Sequence, residues 1–296
     1  MKKSAFAILA LLACAAAQAD TLKKIRDTGS VTMGVREASG VLSYTLGDGK
    51  FAGYQIDLCH RALEDIQKQL RLPKLDIKYV SVTSGNRIPL IQNGTIDIEC
   101  GSTTNNAARQ QQVSFALTTY VEEVRMAVKT SSGITSINQL AGRSVATTSG
   151  TTSVQMLRKH ERAKGVDFRE IFGKDHTDSM LILESGRADA FVMDAQVLAA
   201  NIARTRSPAD FRIVGEVLGV EPLAIMLRKD DPEFKKAVDN TLRGLMKTGE
   251  MSRLYDKWFL KPVPPTGFVM NLPATDAIKA AWANPNDKPA EDYVKP

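Results

Sequence analysis

Asn93-Gly94-Thr95-Ile96-Asp97-Ile98-Glu99-Cys100-Gly101-Ser102-Thr103-Thr104-Asn105-Asn106-Ala107-Ala108-Arg109 is the stretch from which the fold is read. Gly94 follows the apolar run Ile88-Pro89-Leu90-Ile91 and suits the residue just past a helix end, where a left-handed backbone is needed. Thr95 to Glu99 alternates as a short strand does. The chain then breaks at Gly101 into hydroxyls and amides, and Arg109 follows near the start of a short helix. A strand that empties into Gly-Ser-Thr-Thr and then an arginine puts carbonyls, hydroxyls and a guanidinium on one crevice wall. In α/β sheets, ligands bind at such carboxyl ends of strands.

Working outward, the residues before this stretch repeat a strand–helix grammar. Val31 to Arg36 reads as a buried strand with Arg36 at its end, and Leu42–Thr45 with Lys50–Ala52 reads as a hairpin around Gly47-Asp48-Gly49. A helix from Gly53-Tyr54 to about Arg71 keeps Ile56, Leu58, Cys59, Ala62, Leu63, Ile66 and Leu70 at helical spacing and ends before Pro73. Leu75 to Val82 is a strand, and Asn86-Arg87 leads into a helix over Ile88–Gln92. This β-α-β-α-β order is that of a mostly parallel sheet. After strands at Val113–Phe115 and Tyr120–Val128, a second unit with the same grammar occupies roughly 127–215. It holds a short helix at Ser136–Leu140, strands at Gly142–Thr147, Val166–Phe172 and Ala188–Met193, and helices opened by Thr148-Ser149-Gly150-Thr151-Thr152-Ser153, Asp175-His176 and Asp194. Ala224–Leu227 is again a strand, and Asp231-Pro232 begins a helix with Asp as N-cap and Pro at the first position. Seven of the twelve prolines lie from Lys261 onward, so the tail is expected to be an extended surface strap with one helix near Thr275–Ala283.

Composition bounds the function. Lys2-Lys3, the apolar run Ala5–Ala13 and Ala17-Gln18-Ala19 have the form of a secretory signal cleaved after Ala19. Leu11-Leu12-Ala13-Cys14 offers a rival lipoprotein cleavage site, although Leu12 is bulky where that signal has a small residue. Without the first 19 residues the chain has 277, enough for two domains or one large one, and its net charge falls from +6 to +4. That charge has no basic block, so nucleic-acid binding is not indicated. An exported, soluble protein with Cys59 and Cys100 as its remaining cysteines suggests a disulfide; a pair of buried free thiols is the other reading.

Candidate site residues come from strand ends and helix starts. Arg109 suits a bidentate carboxylate contact. The turn containing Thr151 and Thr152 can be an anion nest at a helix N-terminus, or an ordinary N-cap. Asp194 can cap its helix or accept an ammonium from the crevice. Arg36, Arg87 and His176 each read equally as structural or surface groups, and no cluster supports a metal. No Gly-x-Ser-x-Gly elbow, HExxH, P-loop or GxGxxG occurs. Asp97 and Glu99 could be read as paired carboxylates, but they read more simply as strand alternation.

The chain resembles the periplasmic amino-acid-binding proteins of ABC importers, the bacterial solute-binding family 3, over essentially its whole mature length, and most closely those that bind glutamate and aspartate. The pieces that carry this are Thr83-Ser84-Gly85-Asn86-Arg87-Ile88-Pro89-Leu90, Glu99 to Asn106, Thr148 to Ser153, Lys174-Asp175-His176 and Met226 to Pro232. Gly53-Tyr54-Gln55-Ile56-Asp57-Leu58 resembles the broader family signature, with Gln55 standing where an acidic residue is usual. The resemblance implies an α/β fold of two lobes, each a mostly parallel sheet flanked by helices. Residues 20–124 with 219–296 would form one lobe and 125–218 the other. Strands at Tyr120–Val128 and Val217–Leu227 would carry the two hinge crossings. It implies that Arg109, with Thr151 and Thr152, holds a ligand α-carboxylate, that Ser102, Thr104 and Asp194 meet the α-ammonium, and that Arg36, Ser84, Arg87 and His176 surround the side chain. Arg36, Arg87 and Arg109 outnumber Asp194 as pocket charges, so a second ligand carboxylate is expected, as in L-glutamate or L-aspartate. The expected protein is a monomeric, non-enzymatic periplasmic receptor that needs no cofactor and delivers its ligand to an inner-membrane ABC permease. The rival is a cleft enzyme, such as a dehydratase acting on an acidic substrate, with Asp194 or Glu99 as its acid or base.

Overall fold

The computed structural model describes residues 19–293. The signal segment up to Gln18, with Cys14, lies outside those residues, and no helix among the described residues is long and apolar enough to cross a membrane. Asp20 caps α1 (Thr21–Thr28), accepting from Lys23 N, and Gly29 ends it in the left-handed region. β1 (Ser30–Val35) follows. β2 (Ala38–Ser39), β3 (Ser43–Gly47) and β4 (Lys50–Ala52) make a small antiparallel sheet. Next come α2 (Tyr54–Gln69), β5 (Asp76–Ser81), α3 (Arg87–Gln92), β6 (Ile98–Glu99), α4 (Ala107–Gln110) and β7 (Ser114–Phe115). The second unit contains β8 (Tyr120–Lys129), β9 (Ser144–Thr148), α5 (Thr152–Lys164), β10 (Arg169–Gly173), α6 (His176–Glu184), β11 (Ala190–Asp194), α7 (Ala195–Ile202) and β12 (Phe211–Leu223). β13 (Met226–Leu227), α8 (Pro232–Lys247), α9 (Glu250–Phe259) and α10 (Asp276–Ala283) complete the chain.

Two five-stranded sheets result, in the orders β5-β1-β6-β13-β7 and β10-β9-β11-β8-β12. Each is a mixed sheet in which four of the five strands run the same way and one is reversed, in keeping with the mostly parallel sheets expected. The runs β5-β1-β6 and β10-β9-β11 are parallel, whereas β13 and β8 are antiparallel to their neighbours. The cause is topological: β8 and β13 reach their sheets from the other unit and so run the opposite way. Tyr120 and Val121 at the start of β8 pack in one core, while Val124, Met126 and Val128 pack in another. β12 makes the return trip, with Phe211 among the second unit's apolar residues and Leu223 in the first unit's core. The expected strand Val217–Leu227 is thus the end of β12, a break at Ala224-Ile225, and β13.

Two other elements differ from expectation. The strand read over Thr95–Glu99 is regular only at Ile98–Glu99, because the Asp97 carboxylate takes the Thr32 N–H at 2.8 Å in place of a ladder bond. The strand read over Val166–Phe172 begins at Arg169, since Val166 N still donates back to Glu161 O at the end of α5.

α2 buries Ile56, Leu58, Cys59, Ala62, Leu63 and Ile66, the face its spacing anticipates. Cys59 on that face and Cys100 just past β6 form a disulfide, which settles the choice between bridge and free thiols. Gln55 donates to Thr119 Oγ1 at 2.8 Å, just ahead of β8, so an amide serves there in place of the usual acid. Tyr120 stacks on Phe259 with centroids 5.2 Å apart, which fixes the base of the crossing strand to α9. The tail straps the same region: Trp282 Nε1 donates to Thr119 O at 2.9 Å, and Asn105 Nδ2 donates to Asp287 O at 2.9 Å.

Candidate functional site

The carboxyl ends of β1, β9 and β11 and the N-termini of α3 and α5 meet between the two units. Arg36, at the end of β1, donates through Nη2 to Ser84 Oγ at 2.9 Å and lies 3.2 Å from His176 Nε2. A guanidinium can only donate, so Nε2 is the acceptor. His176 Nδ1 therefore carries the proton and donates to Thr148 Oγ1 at 3.0 Å. Arg87 opens α3 and donates to Ser102 O at 3.2 Å. Arg109, on the helix capped by Asn106, donates to Thr104 O at 2.9 Å and across the cleft to Gly150 O at 3.2 Å. Gly150 has φ +80°, and a Cβ there would lie 2.7 Å from Gly85 Cα, so the units approach backbone to backbone.

Every site residue expected from the sequence is buried: Arg36, Ser84, Arg87, Ser102, Thr104, Arg109, Thr151, Thr152, His176 and Asp194. The hydroxyls are largely committed. Ser102 Oγ bonds Ser39 Oγ, Thr151 Oγ1 donates to Thr148 O, and Thr152 Oγ1 donates to the carboxylate of Glu221. The α5 N-terminus has no side-chain cap from Thr151, so the anion-nest reading of this turn retains its N–H groups while the hydroxyls point elsewhere.

Sequence reasoning missed Glu221 and Glu122. Both are buried and directly opposite each other in the β8–β12 register. That pairing joins residues 99 positions apart, and no local pattern in the sequence signals it. With Glu99, also buried, they are acids that a count of three arginines against Asp194 leaves out. Glu99 accepts from Thr103 Oγ1 at 2.6 Å. The demand for an external anion stands on spacing instead. Among the described residues, none of Arg36, Arg87 and Arg109 has a carboxylate within ion-pair reach, and Asp194 has no such cation. Arg36 Nη1, Arg87 Nε and Asp194 Oδ1 are buried without a hydrogen-bond partner among the described residues. Such groups cost roughly 1–3 kcal/mol each, more when charged, so the arrangement suits a ligand that brings both anionic and cationic groups.

Burial sets the protonation states. It draws Arg36 down to about 9 with help from the nearby Arg87, and Arg109 to about 9 for the same reasons, so both stay charged at neutral pH. Burial raises Asp194 well above the usual carboxylate range, reinforced by Glu221, and also raises Glu122 and Glu221. Burial beside Arg36 and Arg87 holds His176 well below its ordinary value, so the folded protein keeps it neutral. The unfolded chain protonates His176 near the ordinary value of about 6.5, so this residue costs stability as pH falls below that point. Wild type should lose about 1.4 kcal/mol relative to His176→Gln between about pH 7.5 and 5.5. Denaturant titrations of the ligand-free proteins at both pH values check this; a constant difference would refute a neutral buried histidine.

No group of three or more His, Cys, Asp and Glu is placed to hold a metal ion among the described residues. The sequence profile described as bacterial extracellular solute-binding proteins, family 3, matches residues 31–261. The chain is 43% identical over 291 residues to the L-glutamate/L-aspartate-binding protein of Pseudomonas aeruginosa, covering 96% of each. It is 43% identical to the glutamate/aspartate import solute-binding protein of Escherichia coli K12, covering 97% of this chain and 98% of the other. In fold it matches an ABC uptake transporter substrate binding protein from Streptococcus pneumoniae with bound histidine, at a TM-score of 0.72 and 19% identity over 82% of this chain and 97% of that one.

Proposed function

The chain belongs to the bacterial extracellular solute-binding proteins of family 3, and from that premise we propose that it captures L-glutamate and L-aspartate between its two lobes and delivers them to an ABC permease. The observation that carries this reading is the set of buried, unpaired charges: guanidiniums without a carboxylate, facing a site that also holds an unpaired Asp194 oxygen. An acidic α-amino acid supplies two carboxylates and one ammonium, which complements that set. The two relatives at 43% identity, named for glutamate and aspartate, support the same ligand class.

In this reading Arg109 and the N–H groups at the start of α5, around Thr151 and Thr152, bind the α-carboxylate. Ser102, Thr104 and Asp194 take the ammonium. Arg36, Ser84, Arg87 and His176 bind the side-chain carboxylate, with neutral His176 keeping its Nε2 acceptor on Arg36. We place the lobes at 20–124 with 219–296, and at 125–218. The mature receptor, cleaved after Ala19, acts in the periplasm as a monomer. The dehydratase alternative is not favoured, because the relatives are named as binding proteins.

Calorimetry on ligand-stripped protein tests the proposal. Glutamate and aspartate should bind, and glutamine should bind at least about a hundredfold more weakly, since it leaves buried guanidinium unpaired. Arg87→Ala should cost about a hundredfold for glutamate while changing glutamine binding much less. Tight binding of glutamine or arginine with none of glutamate would sink the ligand assignment.

A further inference from the structure

Among the described residues, Glu221 is the one carboxylate that accepts from side chains of both lobes. Its Oε2 accepts from Thr104 Oγ1 at 2.9 Å and from Thr152 Oγ1 at 2.9 Å, and the two hydroxyl oxygens lie 3.3 Å apart. We propose, building on the binding function above, that Glu221 is a positioning residue: a fixed anchor onto which the second lobe closes through Thr152, and which turns the Thr104 hydroxyl so that its lone pairs face the ligand.

Three features of the fold support this. First, Glu221 moves with the first lobe. It lies on β12 two residues before Leu223, which pairs with Thr104 in an isolated bridge. Asn105 N donates to Pro222 O at 2.9 Å, and Ala224 N donates to Thr103 O at 3.2 Å. The Glu221–Thr104 geometry is therefore set by the backbone within one rigid neighbourhood. Second, Thr152 belongs to the other lobe, at the head of α5, which packs on β9, β11 and β12. Its bond to Glu221 joins two bodies, as the Arg109 contact with Gly150 O does, and forms only when they meet. Third, a carboxylate can only accept, so both threonine protons are spent on it. Thr104 is left able to accept from a ligand and unable to donate, which favours an ammonium and disfavours a ligand oxygen at that point.

Burial raises the proton affinity of Glu221, while the two hydroxyls oppose that shift by favouring the ionised form. Arg109 and Arg87 oppose the shift as well, so closing the cleft around these donors and cations favours the accepting form of Glu221.

Stopped-flow measurement of glutamate binding to the full mature protein tests the role, because an anchor formed on closure controls release more than capture. Glu221→Leu should speed dissociation about thirtyfold and Glu221→Gln about fivefold, since the amide keeps a neutral acceptor in place, with association rates within about twofold of wild type. Thr152→Val should match the release rate of Glu221→Leu, while Thr152→Ser, which keeps the hydroxyl, should release several-fold more slowly than Thr152→Val. The pair Thr152→Val with Glu221→Leu should release no faster than Glu221→Leu alone, as expected for two ends of one contact. If Glu221→Leu does not fold, Glu221→Gln and the Thr152 variants give the answer. Unchanged dissociation in the folded variants, with only a lower melting temperature, would overturn the anchor. So would effects that multiply in the double variant. A wild-type protein that binds no acidic amino acid would instead overturn the ligand assignment itself.

Discussion

Arg109→Ala should abolish binding of every amino acid, with affinity for glutamate and for aspartate each reduced at least about a thousandfold. Two losses combine. The guanidinium is the proposed partner of the α-carboxylate, a group common to all amino acids, and truncating one partner of a buried charge pair costs about 2–5 kcal/mol or more. The same side chain also spans the cleft, donating to Thr104 O in one lobe and to Gly150 O in the other. Its removal therefore weakens closure as well as contact. Arg109→Lys should recover little, because an ammonium cannot make both of those donations and a forked carboxylate contact together. The contrast with Arg87→Ala is the diagnostic part, since that variant should discriminate by ligand side chain. Equal losses for glutamate and glutamine in both variants would show the two arginines to share one role. Titration calorimetry with folded variants, checked by circular dichroism, decides it.

Replacing Cys59 and Cys100 together by alanine should lower stability by about 4 kcal/mol while leaving glutamate affinity within about twofold. The bridge closes a loop with a sequence separation of 41, and the chain-entropy relation gives that figure for a loop of this size. It joins the buried face of α2 to the end of β6, beneath the stretch that leads to Ser102 and Thr104. Both sulfurs sit in the apolar core of the first lobe, not among the polar side chains of the cleft. The expected signature is a denaturation midpoint for the first lobe that falls in reductant for wild type and is insensitive to reductant in the variant. A change below about 1 kcal/mol would mean that the unfolded chain gains nothing from its release.

Much of the fold could be read from local pattern because its main helices are amphipathic and its caps are conventional. α2 and α8 appear where the spacing of Ile56, Leu58 and Leu63, and the Asp231-Pro232 start, place them. The candidate site was readable for a related reason. Arg36, Arg87, Thr152, His176 and Asp194 lie at strand ends or helix starts, which mark the crevice of an α/β sheet whatever its pairing. What escaped depends on contacts between distant residues. Glu221 faces Glu122 through strand pairing and meets Thr104 and Thr152 through lobe contact. The sequence near Glu221, Gly219-Val220-Glu221-Pro222, reads as unremarkable strand. The charge count that ignored it pointed to an acidic ligand through a surplus of arginines. The better reason is that these arginines are out of ion-pair reach of the acids that share their interior. The shortening of β6 has the same character, since a side chain, Asp97, occupies a ladder position that pattern alone would give to backbone.

The strand order of the first sheet also sets a timetable. β7 touches that sheet only through β13, and β13 lies more than a hundred residues later in the chain. As the polypeptide emerges from its N-terminus, Ser114–Phe115 must wait with unpaired backbone until Met226–Leu227 arrives to sit between it and β6. The second sheet waits less, because β8 finds its first partner at Ala190–Asp194 and every strand lies within Tyr120–Leu223. The half of the molecule that is made first is thus the half that can be finished only last.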